Sequence, residues 1–296
     1  MSTQSTQDKW IIGIDGGGTK TKLVLQKTSA DGSAEYVGPG CNPTYCGMER
    51  TQAVLADCLN EAPVPAEQVD AVFAGLAGCF SKERDEQLES FLKDRFPNAR
   101  VAVRSDIMNV ILSEDGPEDC LAAICGTGSV VFAYRAGGLS RFGGWGPEFD
   151  LGGNGYSIGK EAIRYALACE DGLEKTTLLS QLVCGRMIGT TPSSVAEIAS
   201  FAPLVYDAYR QGDPVAQRIL AENFSQMARL INGADRSFPE PVRLILAGGL
   251  TACPETVSLI RERLDRVTDV RICTDPARGA LNGARLLSQG ETRWMN

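Results

Sequence analysis

The sequence predicts an α/β protein assembled from two halves built on one plan. Three observations carry that expectation. Apolar runs of strand length alternate with amphipathic stretches from one end of the chain to the other. A strand, a glycine-rich turn and a second strand open the sequence, and the same unit returns about 110 residues later. The 296 residues exceed one small module and suit two compact domains.

In order, Trp10–Ile14 and Lys22–Gln26 read as strands flanking a glycine turn, and Ala34–Gly38 as a third strand. Met48–Ala62 reads as a helix, with Val54, Leu55, Cys58 and Leu59 on one face. Ala71–Ala74 is a short strand, and Lys82–Phe96 a charged helix capped by Ser81. Ala99–Val103 is a strand, with Ser105-Asp106 just past its carboxyl end, where open α/β sheets gather ligands. Helix Ile107–Ser113 follows. Leu121–Cys125 and Val130–Arg135 then flank Gly126-Thr127-Gly128-Ser129. Gly155 to Phe238 is dominated by helix, including one started by Asp213-Pro214. Arg243–Ala247 is a strand ending in Gly248-Gly249, and a last helix runs from Ala277 to Gln289. No low-complexity linker separates the halves, and pattern alone places their boundary near residue 115.

Composition narrows the chemistry. Twenty-nine Lys and Arg against 37 Asp and Glu leave a net charge of -8, which argues against nonspecific nucleic-acid binding. No apolar run approaches the ~20 residues that span a bilayer. The polar start Met1–Asp8 lacks the features of a secretory signal, so a cytoplasmic protein without membrane partners is expected. None of the ten Cys stand in C-x-x-C or C-x-C spacing, and they read as buried thiols. There is no His at all, which excludes Ser-His-Asp and Cys-His catalysis and H-E-x-x-H zinc sites. Acid–base work falls to a carboxylate, or with less support to Lys, Tyr or Cys.

The first glycine turn, Asp15-Gly16-Gly17-Gly18-Thr19-Lys20, is neither a Walker A loop nor a dinucleotide fingerprint. Thr19 separates Gly18 from Lys20, the spacing is wrong for G-x-G-x-x-G, and a strand follows instead of a helix. What remains is a hairpin whose turn exposes backbone N–H groups and a Thr hydroxyl, which can cradle phosphate. One such turn can equally be a plain hairpin. Its second copy at Gly126–Ser129 argues for a pair of hairpins clamping a polyphosphate.

These residues make the chain resemble the N-acetylglucosamine kinase and BadF/BadG/BcrA/BcrD ATPase family, within the actin-like sugar-kinase superfamily. The resemblance rests on Ile14–Thr19, Gly126–Ser129, Phe142-Gly143-Gly144-Trp145-Gly146 with Tyr156–Gly159, and Ala247-Gly248-Gly249-Leu250, in that order over residues 10 to 288. It implies two ribonuclease-H-like (actin-like ATPase) domains with an interdomain cleft. Residues 1–115, rejoined by the C-terminal helix 277–296, would form one. Residues 116–276, with a helical insert, would form the other.

The resemblance also implies roles. Asp15 would hold Mg2+ through water; Gly16, Gly17, Gly18, Thr19 and Lys20 would contact ATP phosphates, as would Gly126, Thr127, Gly128 and Ser129. Gly248 and Gly249 would let adenosine approach the backbone. Asp106 matches the catalytic base; an N-cap Asp is the plain alternative. Asp15 could instead satisfy its own turn. Asn42, Gly78, Asp106, Thr127, Gly144 and Trp145 match sugar-contacting positions; Asn42-Pro43 is otherwise an ordinary turn and Trp145 equally a hydrophobic plug. One departure stands out. Where family kinases carry Gly-Asp-Glu-Gly-Ser, this chain reads Asp150-Leu151-Gly152-Gly153-Asn154. Either Asp150 or Glu148 replaces the acid, or the sugar preference has changed, or phosphorylation is lost.

The implied activity is an ATP-dependent kinase acting on a primary hydroxyl of an amino sugar or hexose, foremost N-acetylglucosamine to its 6-phosphate. ATP and Mg2+ are the implied cofactors, and a homodimer the expected assembly. Rivals are an ATPase that drives conformational change in a partner enzyme and a sugar-binding protein without kinase activity. The first would need a cluster-ligating Cys, and Cys125 is its superficial match.

Overall fold

Ten β-strands and eleven α-helices occur among the described residues of the computed structural model, which are 8–114, 116–189 and 191–295. Most of the polar start read above, residues 1–7, and the boundary residue Asp115 lie outside them. The chain divides into two compact units. One comprises Met1–Glu118 and Asp275–Asn296 with the turn Ala136–Gly138; the other comprises Asp119–Arg135 and Leu139–Thr274.

The first unit holds β1 (Trp10–Gly16), β2 (Lys20–Lys27), β3 (Ser33–Pro39), α1 (Pro43–Cys46) and α2 (Met48–Glu61). It continues through β4 (Val69–Leu76), α3 (Lys82–Arg95), β5 (Arg100–Ser105) and α4 (Ile107–Ile111). Its sheet runs β3-β2-β1-β4-β5, antiparallel from β3 to β1 and parallel from β1 to β5. The second sheet is built from β6 (Cys120–Cys125), β7 (Ser129–Arg135) and β8 (Gly138–Gly143), joined by β9 and β10 after a run of helices. Those helices are α5 (Gly155–Glu170), α6 (Leu178–Met187), α7 (Val195–Ala199), α8 (Ala202–Arg210) and α9 (Pro214–Asp235). Then come β9 (Arg243–Ala247), α10 (Pro254–Arg261), β10 (Val270–Ile272) and finally α11 (Pro276–Ser288). The second sheet runs β10-β9-β6-β7-β8, the same five-strand plan, with β6 and β7 antiparallel and β6, β9 and β10 parallel. The repeated strand–turn–strand unit therefore marks a repeated ribonuclease-H-like topology.

Central strands are apolar on both faces because helices cover both. Ile11, Ile12 and Ile14 of β1, and Val72, Phe73 and Ala74 of β4, are completely buried. Ser81 accepts the Arg84 amide and starts α3, as its sequence predicts. Asp213 accepts the amides of Val215 and Ala216, and also that of Leu179, so one buried carboxylate fixes two helices. Sequence reading differs from the structure in three places. The helix expected over Ile107–Ser113 stops at Ile111. The helical region 155–238 is five helices. Strands β8 and β10 and helices α1 and α10 escape pattern recognition: β8 is a glycine- and Arg-containing, solvent-facing run without alternation, and β10 has three residues.

Helix α11 returns the end of the chain to the sheet where it began. A Cβ on Gly13 of β1 would overlap the backbone of Leu281, and one on Gly279 would overlap the Asn109 carbonyl. On Gly283 it would lie 2.6 Å from the Phe73 ring. Asn282 Nδ2 also donates to the Leu112 carbonyl at 2.9 Å. Backbone thus meets backbone with no side chain between. Gly13→Ala should force α11 outward at a cost of about 2–3 kcal/mol, seen as a lowered denaturation midpoint; an unchanged midpoint would contradict this packing.

Candidate functional site

Three parallel strands of the first unit end side by side. The Ala77 amide donates to Gly16 O at 2.7 Å, and the Asp106 amide to Leu76 O at 3.3 Å, which brings the carboxyl ends of β1, β4 and β5 together. Two carboxylates stand there. Asp15 is next to last in β1, and Asp106 is the first residue after β5.

Asp106 occupies the N-cap position of α4, yet its side chain makes no capping bond. It accepts the Ser105 hydroxyl at 3.2 Å. Burial, and after it the charge of Asp15, push its carboxyl up to about 6, against smaller opposing contributions from Ser105 and nearby amides. Asp15 does not satisfy its own turn either. Its Oδ1 accepts Asn109 Nδ2 at 2.7 Å. Burial raises its carboxyl, while Asn109 and the charge of Lys20 oppose the rise. Asn109 also donates to Gly75 O at 3.0 Å and is wholly buried. Both neighbours are acceptors, so the amide nitrogen must face them, and Oδ1 is left buried without a partner. Asn109 was missed in sequence reading; the signal was a lone amide in the apolar helix Ile107-Met108-Asn109-Val110-Ile111.

The turn between β1 and β2 closes with a bond from the Gly17 amide to Lys20 O at 2.9 Å. Gly17 N–H is thereby occupied. Gly18 and Thr19 are exposed, and their amides make no bond among the described residues. Gly40 packs beneath the turn, where a Cβ would overlap Gly18. Lys20 is exposed beside it. Asn42 caps α1 by accepting the Thr44 amide at 2.9 Å, and its Nδ2 makes no hydrogen bond among the described residues. Gly78, at φ +85°, abuts Asn42: a Cβ there would overlap Asn42 Oδ1. The structure therefore gathers Asp15, Asp106, the 17–20 turn, Asn42 and Gly78 on one unit.

The second unit repeats the device. The Gly126 amide is occupied by Gly128 O at 2.9 Å, while the amides of Thr127 and Gly128 make no bond among the described residues and both residues are exposed. The turn's carbonyls are anchored by the first amides of α5: Gly155 to Gly126 O at 2.8 Å and Tyr156 to Thr127 O at 3.1 Å. Ser129 is buried, donating to Gly152 O at 2.7 Å and accepting Asn154 Nδ2 at 3.0 Å, so its hydroxyl is committed within the unit. Asn154 in turn caps α5 through Ser157 N at 2.8 Å. Gly248, at φ +100°, lies where a Cβ would overlap the Cys125 carbonyl, whereas Gly249 faces open space. Gly144 has φ +69° and sits against Val130. Trp145 is 64% exposed, with the Arg141 guanidinium 4.2 Å above its ring. Asp150 Oδ1 accepts the Trp145 amide at 2.7 Å and so closes its loop; Leu151 is exposed.

As a place for Mg2+, Asp15 offers a hard oxygen donor, its Oδ2 making no hydrogen bond among the described residues. No group of three or more His, Cys, Asp or Glu is placed among these residues to hold a metal by itself. Cys125 is completely buried and its thiol pushed up to about 12, which is unlike an exposed cluster ligand.

Burying the Asp106 charge beside Asp15 costs stability at neutral pH. A carboxyl raised in the folded state favours folding as pH falls from above 6 toward its unfolded value near 4. Asp106→Asn should therefore raise Tm at pH 7.5 by a few degrees, about 1–2 kcal/mol, and the gain should shrink at pH 5. A lowered Tm at pH 7.5 would refute the electrostatic account.

An N-acetyl-D-glucosamine kinase from Dictyostelium discoideum is 25% identical over 271 residues, covering 80% of this chain and 84% of that one. An N-acetylmuramic acid/N-acetylglucosamine kinase from Clostridium acetobutylicum is 28% identical over 230 residues, 72% of this chain and 75% of that one. The solved structure of a candidate N-acetylglucosamine kinase from Chromobacterium violaceum superposes with a TM-score of 0.73 at 23% identity, covering 93% of this chain and 98% of that one, which establishes the fold. Residues 12–288 match the model of one family throughout, and the chain belongs to the BadF/BadG/BcrA/BcrD ATPase family.

Proposed function

We propose that this chain is an ATP-dependent carbohydrate kinase that phosphorylates a primary hydroxyl of an amino sugar or related hexose, foremost N-acetylglucosamine. The observation that carries the reading is Asp106: a half-buried carboxylate at a helix start, without a side-chain capping bond, at the carboxyl ends of three parallel strands. The kinases among its relatives support the sugar.

In this reading Asp106 accepts the proton of the sugar hydroxyl as its oxygen bonds to the γ-phosphorus and the bond to the ADP oxygen breaks. The open amides of Gly18 and Thr19, and those of Thr127 and Gly128, donate to phosphate oxygens. Asn42 Nδ2 donates to the sugar. Asn109 holds Asp15 in one orientation. Mg2+, when bound near Asp15, neutralises phosphate charge.

ADP release with Mg-ATP across a panel of hexoses and amino sugars tests the reading, and no release on any sugar would end it. Asp106→Asn should lower kcat by about 10²–10⁴-fold while ATP still binds. In the unmodified protein kcat should fall about tenfold per pH unit below about 6, as Asp106 gains its proton; a flat profile down to pH 5 would remove Asp106 as base. Gly18 and Gly128 have open space where a Cβ would go, so the fold itself does not require glycine there. Gly18→Val and Gly128→Val should weaken ATP binding in calorimetry with Tm unchanged. Unaltered affinity in both would exclude the hairpins as phosphate cradles.

A further inference from the structure

We propose that the second unit carries an anion site of its own, remote from its glycine turn, which binds a phosphate dianion, free or borne by a small molecule as a monoester. The proposal does not rest on the kinase reading.

Strands β6 and β9 run parallel, Cys120 beside Arg243 at one end and Ile124 beside Ala247 at the other, where the Gly126–Ser129 turn and Gly248 follow. Helix α10 carries the chain back from the turn end, and β10 starts at Val270 beside Leu244. The segment 262–269 between them therefore lies at the far end of the sheet. The end of α9 lies there too, where Asp235 takes Arg266 at 2.7 Å. These two stretches enclose a pocket of about 400 Å3. Ser225, Arg229, Asn232 and Arg236 line it from one face of α9, and Arg263 and Asp265 from the other side. Asn232 clips the two sides together, its Nδ2 donating to Arg263 O at 2.9 Å and its Oδ1 accepting the Asp265 amide at 3.0 Å.

The three arginines have little to hold. Arg229 Nη1 donates to the neutral Gln226 Oε1 at 3.0 Å. Arg263 Nη1 donates to Leu259 O at 2.8 Å and lies 3.4 Å from Glu262, which is mostly exposed and outside the lining. Arg236 faces the Asp265 carboxylate at 3.6 Å with both side chains mostly exposed, a contact of small worth. Their other guanidinium N–H groups, and the Ser225 hydroxyl, make no hydrogen bond among the described residues. Arginines elsewhere are treated differently: Arg104, Arg210, Arg243 and Arg266 each face a carboxylate within 3.0 Å.

Three guanidinium charges against one lining carboxylate leave an excess of two, in a chain whose net charge is -8. A phosphate monoester carries about -1.5 to -2 at neutral pH and balances that excess, whereas a carboxylate would balance half of it. Planar guanidinium forks match phosphate oxygens in pairs, and the Ser225 hydroxyl adds a neutral donor. The volume exceeds that of the bare anion and leaves room for a small organic group.

The test is calorimetric binding to the full chain at low salt, with inorganic phosphate, glucose 6-phosphate and AMP as probes and acetate as the singly charged control. A phosphate probe should bind, and acetate at least about tenfold more weakly. Arg229→Gln and Arg236→Gln, both on exposed positions, should each weaken phosphate binding about tenfold or more, the loss expected for a hydrogen bond to a charged group. Asp265→Asn should tighten it by removing the opposing charge. Gly128→Val, at the turn, should leave it unchanged. Inorganic phosphate binding as tightly as the esters would assign the site to the free anion; tighter glucose 6-phosphate or AMP would assign it to a monoester. No binding by any of the three probes, unchanged affinity in both arginine variants, or a loss confined to Gly128→Val would overturn the site. Acetate binding as tightly as phosphate would overturn the ligand class. Arginine-dependent phosphate binding in a protein that releases no ADP on any sugar would keep this site and end the kinase reading alone.

Discussion

The arrangement of the first unit depends on one constraint: α11 must approach both β1 and α4 more closely than any side chain at Gly13 or Gly279 would allow. Where backbone packs on backbone, a single Cβ displaces a whole helix, because close-packed interiors cannot absorb the volume locally. This contact seats α4, and α4 carries both Asp106 and Asn109. Gly75 belongs to the same constraint, since Asn109 fills the space a Cβ would take. The amide of Asn109 then links Asp15 to the β4 backbone, leaving Oδ1 buried and unbonded. An unpaired buried polar atom costs about 1–3 kcal/mol. Its retention beside two carboxylates indicates that the orientation of Asp15 is worth that cost.

The two hairpins reach one result by different local bonds. In the first, an amide closes onto a carbonyl three residues ahead; in the second, onto one two residues ahead. Each consumes its first free glycine amide and leaves the next two open beside a Thr hydroxyl. Anion binding by backbone needs no cationic side chain, which is consistent with a chain of net charge -8. The second hairpin is further stiffened by α5, whose first amides hold its carbonyls while Asn154 and Ser129 lock the loop behind it. Residues matched to the family by sequence thus separate into two kinds. Thr127 and Gly128 face outward, available to a ligand, whereas Ser129 and Gly248 serve the unit's own packing.

With no His in the chain, the base we propose is a carboxylate, and an ordinary carboxylate is only weakly basic. Burial and a like charge correct this at Asp106, at a cost to stability. Asn109 holds Asp15 in place despite this repulsion, so the two acids form one electrostatic unit.

Much of this was legible from sequence alone. The repeated strand–glycine turn–strand unit foretold two sheets of one topology, since period-two apolar runs and glycine turns are local signals. Ser81 and Asp213 foretold the helices they start, because capping is decided within three residues. Tertiary structure alone decided the rest. Whether Asp106 caps or stays free, whether Ser129 faces ligand or core, and that Asp150 closes the Trp145 loop depend on partners brought from other segments. Asn109 meets Asp15 from 94 positions away, and α11 meets β1 across almost the whole chain. Such contacts leave no periodicity to read, because they follow from how elements stack and not from how any one of them forms.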